Sequence, residues 1–543
     1  MHTIGINDIP ESLLLLMFQQ LEVKDIVSCS SVCSRWNRIS QDQLLWRKLF
    51  VNDFTKKKSH SAGDNNSLVL AANAESWRNE YKRLYHNYPC HKHKTLYKSQ
   101  NDQNKMLCQS EVTYFEFSHD GMELSACTTD NLLLRWRKDN TGSLKSLEEV
   151  DVGNNYNLEV SNIHYSPTKT KMLVTGFNYI YENTETMVFS TADISLIFLG
   201  KLSFQSTIMT ARWLTDEFFI VAEDNKTERD FYRSSDDSTV YSLTSCRSWK
   251  ESSRVAPLGN TKKINTFLKY LGAYYRECMN GNELVVYFKR PNLQTDKVDE
   301  LQEDQAQSTS DILRSTEDST KETNALFVQS SQPWAVFAFG KTDKFAHKLG
   351  FHHLTSERLK KDIVSAKPDY ELDMKGEIAG MSVSPDQDIL YVHVYGIFDA
   401  KTQELRLKQN SVKTDEDYHV IKKINLRSLQ EISTLSYYKD MSEVYKASLL
   451  LPPLFPHYLG VSKNYLAVNA EDYNVYVWDR NYGVLLTKIQ FDKNESWCVH
   501  FAAFDPNNEE ILLVANTRGL SIWYSNNLSK NIKCQKNENE TWV

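Results

Sequence analysis

Long hydrophobic runs, basic clusters, paired cysteines and catalytic signatures are all missing from this chain of 543 residues. No apolar stretch approaches the roughly eighteen residues that cross a bilayer as a helix, so no membrane association is expected. The leucine run at Leu13–Leu16 is flanked by Asp8 and Glu11, where a secretory leader would carry basic residues. The densest basic run is Lys56-Lys57-Lys58 and the net charge is -7, which argues against a nucleic-acid surface. Nine cysteines are scattered at 29, 33, 90, 108, 127, 246, 278, 498 and 534 without paired spacing, the usage of a reduced intracellular protein. No G-x-x-x-x-G-K-[ST], H-E-x-x-H or G-x-S-x-G occurs, and Gly340-Lys341-Thr342 has Ala335 where a phosphate loop needs its first glycine. Cys90-His91-Lys92-His93 lacks a second pair at zinc spacing and reads as a surface turn, while His352-His353 reads as solvated. Neither catalysis nor a cofactor or metal is expected.

What is present begins at Ile9. Ile9-Pro10-Glu11-Ser12 is a helix start, followed by Leu13, Leu14, Leu15, Leu16, Met17 and Phe18, a helix apolar all round. Such a helix needs cover on every side. Yet the polar stretch from Thr55 to Asn66 closes the unit at about fifty residues, a size with little core of its own. Part of this surface is therefore expected to be buried by another protein. Asp25 opens a second helix leading to Val32, Cys33 and Trp36, and Asp42 precedes a third with Leu45, Trp46 and Leu49 on one face. Taken together, Pro10, the leucine helix ending in Phe18, Leu21, Asp25, Val32-Cys33-x-x-Trp36 and Asp42-x-x-Leu45-Trp46 resemble an F-box. That resemblance implies docking on the Skp adaptor of a cullin-RING ubiquitin ligase. The bland alternative is an amphipathic hairpin covering a larger domain. The F-box is placed at 4–50 and a linker at 51–88, with a helix over 74–86 carrying Trp77, Tyr81, Leu84 and Tyr85 on one face.

Beyond Pro89 the helical period gives way to alternation and tight turns. Val112–Phe117 leads through Ser118-His119-Asp120-Gly121 to Leu124–Cys127 and Leu132–Trp136, and the same strand–turn–strand order recurs from Ile163, Met209, Ile378, Tyr458 and Val499. Neighbouring turns stand forty-odd residues apart, the signature of a WD-repeat β-propeller, placed at 89–530. Asp130 precedes Trp136 by six residues and Asp472 precedes Trp478 likewise; Thr517 breaks that pattern before Trp523. Only Trp478-Asp479 is a literal Trp-Asp pair, so the propeller is degenerate. Seven blades are favoured, with eight the alternative. Asn292 to Asn324 is nearly free of aromatics and rich in Asp, Glu, Gln, Ser and Thr, an acidic insertion expected to be disordered. A closed ring needs one blade built from both ends of the domain, and the strand at His93–Tyr97 is the candidate to complete the blade ending at Ile522-Trp523.

The blocks Ser76–Tyr85, Phe117–Gly121 and Tyr473–Tyr482 resemble the F-box/WD-repeat-containing protein 5 family. The resemblance implies a small all-α F-box followed by an all-β propeller, acting as a non-catalytic substrate receptor of an Skp–cullin–F-box ligase. Its Skp-binding residues would be Pro10, Leu13, Leu14, Phe18, Val32, Cys33, Trp36, Leu45 and Trp46. Its partners would be the Skp adaptor, cullin 1 through it, and protein substrates among centriole-assembly, cytoskeletal or growth-signalling regulators, destined for proteasomal degradation. Its place would be the cytoplasm, with the nucleus or centrosome as further locations. A second link, to the damaged-DNA-binding adaptor of cullin 4, rests on a Trp-Asp-x-Arg box. Here the order is Trp478-Asp479-Arg480, with the Arg one place early. The competing class is a propeller scaffold for cytoskeletal or signalling complexes, its F-box serving only its own turnover.

Overall fold

The computed structural model describes residues 9–55, 70–71, 74–87, 91–98, 111–128, 131–152, 158–178, 183–204, 209–213, 218–224, 239–245, 284–287, 334–339, 347–353, 368–399, 404–406, 419–436, 459–470, 474–491, 499–516 and 519–525. The insertion at 292–324 and the residues Cys90, Asp130, Asp472 and Thr517 lie outside them. A helical unit comes first, made of α1 (Glu11–Phe18), α2 (Val23–Ser30), α3 (Ser34–Ser40) and α4 (Gln43–Phe50), with a π turn at Val51–Thr55. The linker helix α5 (Trp77–Asn87) starts three residues later than its sequence pattern begins, because the Ser76 hydroxyl accepts the Asn79 N–H at 3.1 Å and caps it there.

Among the described residues, the elements after α5 form antiparallel sheets. Strand β1 (His91–Lys98) stands apart in sequence from the repeats. The first sheet is β2 (Val112–Phe117), β3 (Glu123–Thr128), β4 (Leu132–Lys138) and β5 (Leu144–Asp151). The second is β6 (Leu158–Tyr165), β7 (Lys171–Asn178), β8 (Asn183–Ser190) and β9 (Leu196–Phe204). The third has three described strands, β10 (Met209–Trp213), β11 (Phe218–Asp224) and β12 (Thr239–Ser245). The fourth holds β13 (Leu284–Tyr287), β14 (Trp334–Phe339), β15 (Lys348–His353) and β16 (Tyr370–Asp373). In the fifth, β17 (Glu377–Val383) and β18 (Ile389–Tyr395) are followed by a small hairpin, β19 (Ile397–Asp399) and β20 (Glu404–Arg406). The sheet then resumes with β21 (His419–Asn425) and β22 (Gln430–Ser436). The sixth is β23 (Leu459–Val461), β24 (Tyr465–Asn469), β25 (Val475–Asp479) and β26 (Leu485–Ile489). The last is β27 (Val499–Asp505), β28 (Asn508–Asn516) and β29 (Gly519–Tyr524).

These sheets are the blades of a propeller. Their innermost strands follow one another in the order β2, β6, β10, β13, β17, β23, β27, and β27 returns to β2. The ring closes as the sequence implied: β1 pairs antiparallel with β29, His91 opposite Tyr524 and Thr95 opposite Ser521. Core side chains interleave between blades. Phe115, Ile163 and Leu513, from the first, second and last sheets, are fully buried in a single cluster. Sheets six and seven approach so closely that a Cβ on Gly460 would stand 2.3 Å from the Ala502 carbonyl oxygen.

The repeat survives in its turns. Ser118, Ser166, Ser384 and Ser462 each end an innermost strand and are buried, and each hydroxyl accepts the N–H that opens the next strand, from Glu123, Lys171, Ile389 and Tyr465 respectively. A buried serine must satisfy its hydroxyl, and this backbone partner fixes the turn. In the last blade Asp505 takes that place. Its carboxylate accepts the Asn507 N–H at 2.9 Å and meets Lys138 of the first blade at 2.6 Å, with both charged side chains almost wholly buried. Asn507 adds a 2.8 Å bond from its Nδ2 to the Asp120 carbonyl. Lys138→Met should therefore strand a buried carboxylate, costing about 3–5 kcal/mol. A chemical melt of the full chain measures this, and a loss within error of zero would show that the pair is dispensable.

His352 departs from the solvated reading: it lies in the run Leu349–His352 of β15, buried on both faces of its sheet, and is 1% exposed, while His353 stacks on Trp334 at 4.8 Å. Among the described residues no helix is long and apolar enough to cross a membrane, and no cluster of His, Cys, Asp or Glu has the make-up of a metal site.

Candidate adaptor-docking unit and its seat on the propeller

The F-box-like unit is organised by its caps. Pro10 opens α1 at no hydrogen-bond cost, because the first N–H groups of a helix lack partners anyway, and its carbonyl receives the N–H groups of Leu13 and Leu14. Cys33 caps α3 through Sγ, which accepts the Trp36 N–H at 3.5 Å. Asp42 caps α4, taking the N–H groups of Leu44 and Leu45 at 2.8 and 3.3 Å. Glu11 forms ion pairs with Arg35 and Arg38, tying α1 to α3. Burial pushes the Cys29 thiol up, with Asp25 adding to the shift.

Helical period decides which leucines face in. Leu14 and Phe18, four residues apart, are buried with Ile26, Ile39, Leu45, Trp46, Leu49 and Phe50. Trp36 meets Phe18 edge-on at 5.5 Å, and the Trp46 indole N–H donates to the Ser40 carbonyl at 2.7 Å. On the other side of α1, Leu13, Leu16 and Met17 are 51%, 54% and 48% exposed. Val27, Val32 and Leu44 also point outward. Six of the ten exposed large apolar side chains among the described residues thus fall within residues 13–44. Such a concentration on a small unit marks a surface made to be covered.

The nine residues that the F-box resemblance assigned to adaptor binding therefore divide. Pro10, Leu13 and Val32 are exposed, Cys33 and Trp36 are half-buried with internal partners, and Leu14, Phe18, Leu45 and Trp46 are core. The core four hold the helices in place and have no surface to offer. Leu16, Met17, Val27 and Leu44 are outward residues that the motif match passed over. Their signal was the period itself: Leu13, Leu16 and Met17 share one side of α1, and Leu14 and Phe18 another.

The same core continues into the linker and the propeller. Trp77, Tyr81 and Leu84 of α5 are buried against α4, with Trp46 meeting Tyr81 at 5.3 Å and Phe50 meeting Trp77 at 5.2 Å. Tyr85, expected on the covered face, is 59% exposed and stacks on Tyr81. Tyr81 donates to Asp53; burial and then that carboxylate raise its phenol far above the ordinary value. From the sixth blade Tyr482 reaches up to Phe50 at 4.7 Å and Trp77 at 5.9 Å, and Leu486 lies against the cluster.

Comparison with known proteins agrees with both halves. An F-box-like family model matches residues 6–52. F-box/WD repeat-containing protein 5 of Rattus norvegicus is 23% identical over 94% of this chain and 93% of its own length. The Homo sapiens and Mus musculus proteins of the same name are each 23% identical over 94% of this chain and 92% of theirs. Over nearly its whole length the chain is thus similar to F-box/WD repeat-containing protein 5, with an F-box-like unit at its start.

In this chain the Trp478-Asp479-Arg480 triplet is not a surface feature. Trp478 and Asp479 are fully buried and Arg480 is 5% exposed. Trp478 stacks on Tyr476 at 5.8 Å. Arg480 Nε donates to the Tyr391 hydroxyl at 2.8 Å and its Nη1 to the carbonyls of Ser462 and Lys463. Asp479 pairs with Arg83 of α5 at 2.6 Å. Burial pushes the Asp479 carboxyl up, against the opposing pull of that guanidinium. Burial also works against the Arg83 charge, yet Glu80 and Asp479 outweigh it and hold the guanidinium firmly protonated.

Proposed function

We propose that this chain is the substrate-recognition subunit of an Skp–cullin–F-box ubiquitin ligase. The helical unit would dock the Skp-type adaptor through the outward side chains of α1 together with Pro10, Val32 and Leu44, and the propeller would hold the protein substrate. The supporting observation is the crowd of exposed apolar side chains on a unit that matches the F-box model. The work of such a receptor is proximity: it raises the effective concentration of substrate lysines near a charged conjugating enzyme, and no catalytic group of its own is required. The helical unit sits over the turn at 480–484 of the sixth blade, so the opposite face of the ring is left for the substrate. A role with the cullin 4 adaptor through Trp478, Asp479 and Arg480 gains no support from side chains engaged inside the chain.

The test is recovery of proteins bound to the full chain with and without proteasome inhibition. The ligase reading expects the adaptor and cullin 1 in both samples and a set of further proteins that accumulates on inhibition. Adaptor capture with no protein that accumulates would favour the scaffold alternative and sink the receptor reading.

A further inference from the structure

The chain's one literal Trp-Asp pair stands in the blade that carries the F-box-like unit. Its Asp479 does two things at once. Oδ1 accepts the Tyr482 N–H at 2.8 Å and so shapes the turn after β25, while Oδ2 meets Arg83 Nη2 at 2.6 Å. The turn then presents Tyr482, whose ring packs on Phe50 of α4 and Trp77 of α5 and whose hydroxyl accepts the Ala71 N–H at 3.1 Å. Three separate segments (α4, the linker at Ala71, and α5) therefore converge on one short turn.

We propose that Asp479 and Tyr482 are a seat, and Arg83 the key that enters it, which together fix the orientation of the adaptor-docking unit on the propeller. They are positioning residues for ubiquitin transfer, a role that rests on the ligase reading above. Apolar contact alone would hold the two modules together but would tolerate sliding. A buried ion pair such as Arg83–Asp479 at 2.6 Å does not, because sliding would leave two buried charges unpaired. Arg83 is fixed on both sides. Glu80 of its own helix accepts from Nε and Nη2 at 3.1 and 2.7 Å, and its guanidinium carbon lies 5.5 Å from the Tyr465 ring centre. A buried ion pair of this kind contributes specificity of arrangement more than net stability. The seat is itself braced against the fifth blade, since Arg480 bonds to Tyr391 and its carbonyl accepts from Lys423 Nζ at 2.6 Å. With α4, the linker and α5 all held at one turn, turning the unit on the propeller would have to break the Arg83–Asp479 pair. The arc of substrate lysines brought to the conjugating enzyme is then set by this turn.

Full-length chain bound to the adaptor, labelled on α2 and on the outer strand β22, would report the joint by single-molecule energy transfer. The wild type should give one narrow distance peak. Arg83→Met should lose that single peak while both modules stay folded. Asp479→Asn, which keeps the bond to the Tyr482 N–H and removes the charge, should do the same. Adaptor and substrate affinities should be unchanged, but ubiquitin should spread over more substrate lysines, and Arg83→Lys, a charge without the fork, should fall between. A peak that stays narrow in both folded variants overturns the seat, and a broadened peak with an unaltered lysine pattern overturns its positioning role. Wild-type chain that transfers no ubiquitin to any bound protein sinks the ligase reading, and the distance measurement still decides the seat.

Discussion

Replacing Leu16 and Met17 together with serine is expected to abolish capture of the Skp-type adaptor while the helical unit stays folded. Both side chains are about half exposed, so their removal leaves no cavity, and neither belongs to the buried cluster formed by Leu14 and Phe18. If they sit at the centre of the covered surface, each should contribute about 2–4 kcal/mol to binding. Together that is a loss of at least roughly a thousandfold in affinity. Leu14→Ala and Phe18→Ala should also lose the adaptor, but for a different reason. Each removes core volume at a cost of about 2–5 kcal/mol, and Phe18 takes with it the edge contact to Trp36. Near-ultraviolet circular dichroism separates the two cases, since only the core variants should change the environment of Trp36 and Trp46. Adaptor captured at wild-type yield by the Leu16/Met17 variant, in a folded chain, would move the docking surface elsewhere.

That contrast marks where the sequence could be read and where it could not. The run Leu13–Phe18 announced an excess of apolar surface, and the excess is there. Which leucine faced the core was open to period arithmetic, but the match to a motif treats every matched residue as a contact and blurred the two faces. The strands were legible because alternation and the repeated turn serines act over a few residues. Ser118, Ser166, Ser384 and Ser462 carry the repeat where tryptophan and aspartate have faded. Closure by β1 was legible too, since a ring that ends on an unpaired strand needs another from the far end of the domain. What escaped were pairings between distant elements. Nothing local in Asp479 says that Arg83 will reach it, and nothing in Lys138 points to Asp505. A triplet that looked like an external contact was used inward for that reason.

Deleting residues 91–98 is expected to open the propeller at its last blade, although the deletion lies far from that blade in sequence. The strand lost is β1, which pairs with β29 from His91 opposite Tyr524 to Lys98 opposite Gly519. Its Leu96 and Tyr97 pack against the core shared by the first, second and last sheets. Loss of those two side chains and of the ladder should cost on the order of 5 kcal/mol. The backbone groups of β29 would then be bare, a ready template for pairing with another copy. Closure would not vanish at once, because the Lys138–Asp505 pair and the Asn507 bond to Asp120 still clip the last blade to the first. The deletion alone should therefore give a lower melting temperature and concentration-dependent aggregation, and adding Lys138→Met to it should leave no soluble chain. Light scattering and a thermal melt of both variants decide the matter. A monomeric deletion variant that melts where the wild type does would mean that β1 is an ornament on a ring closed by side chains alone.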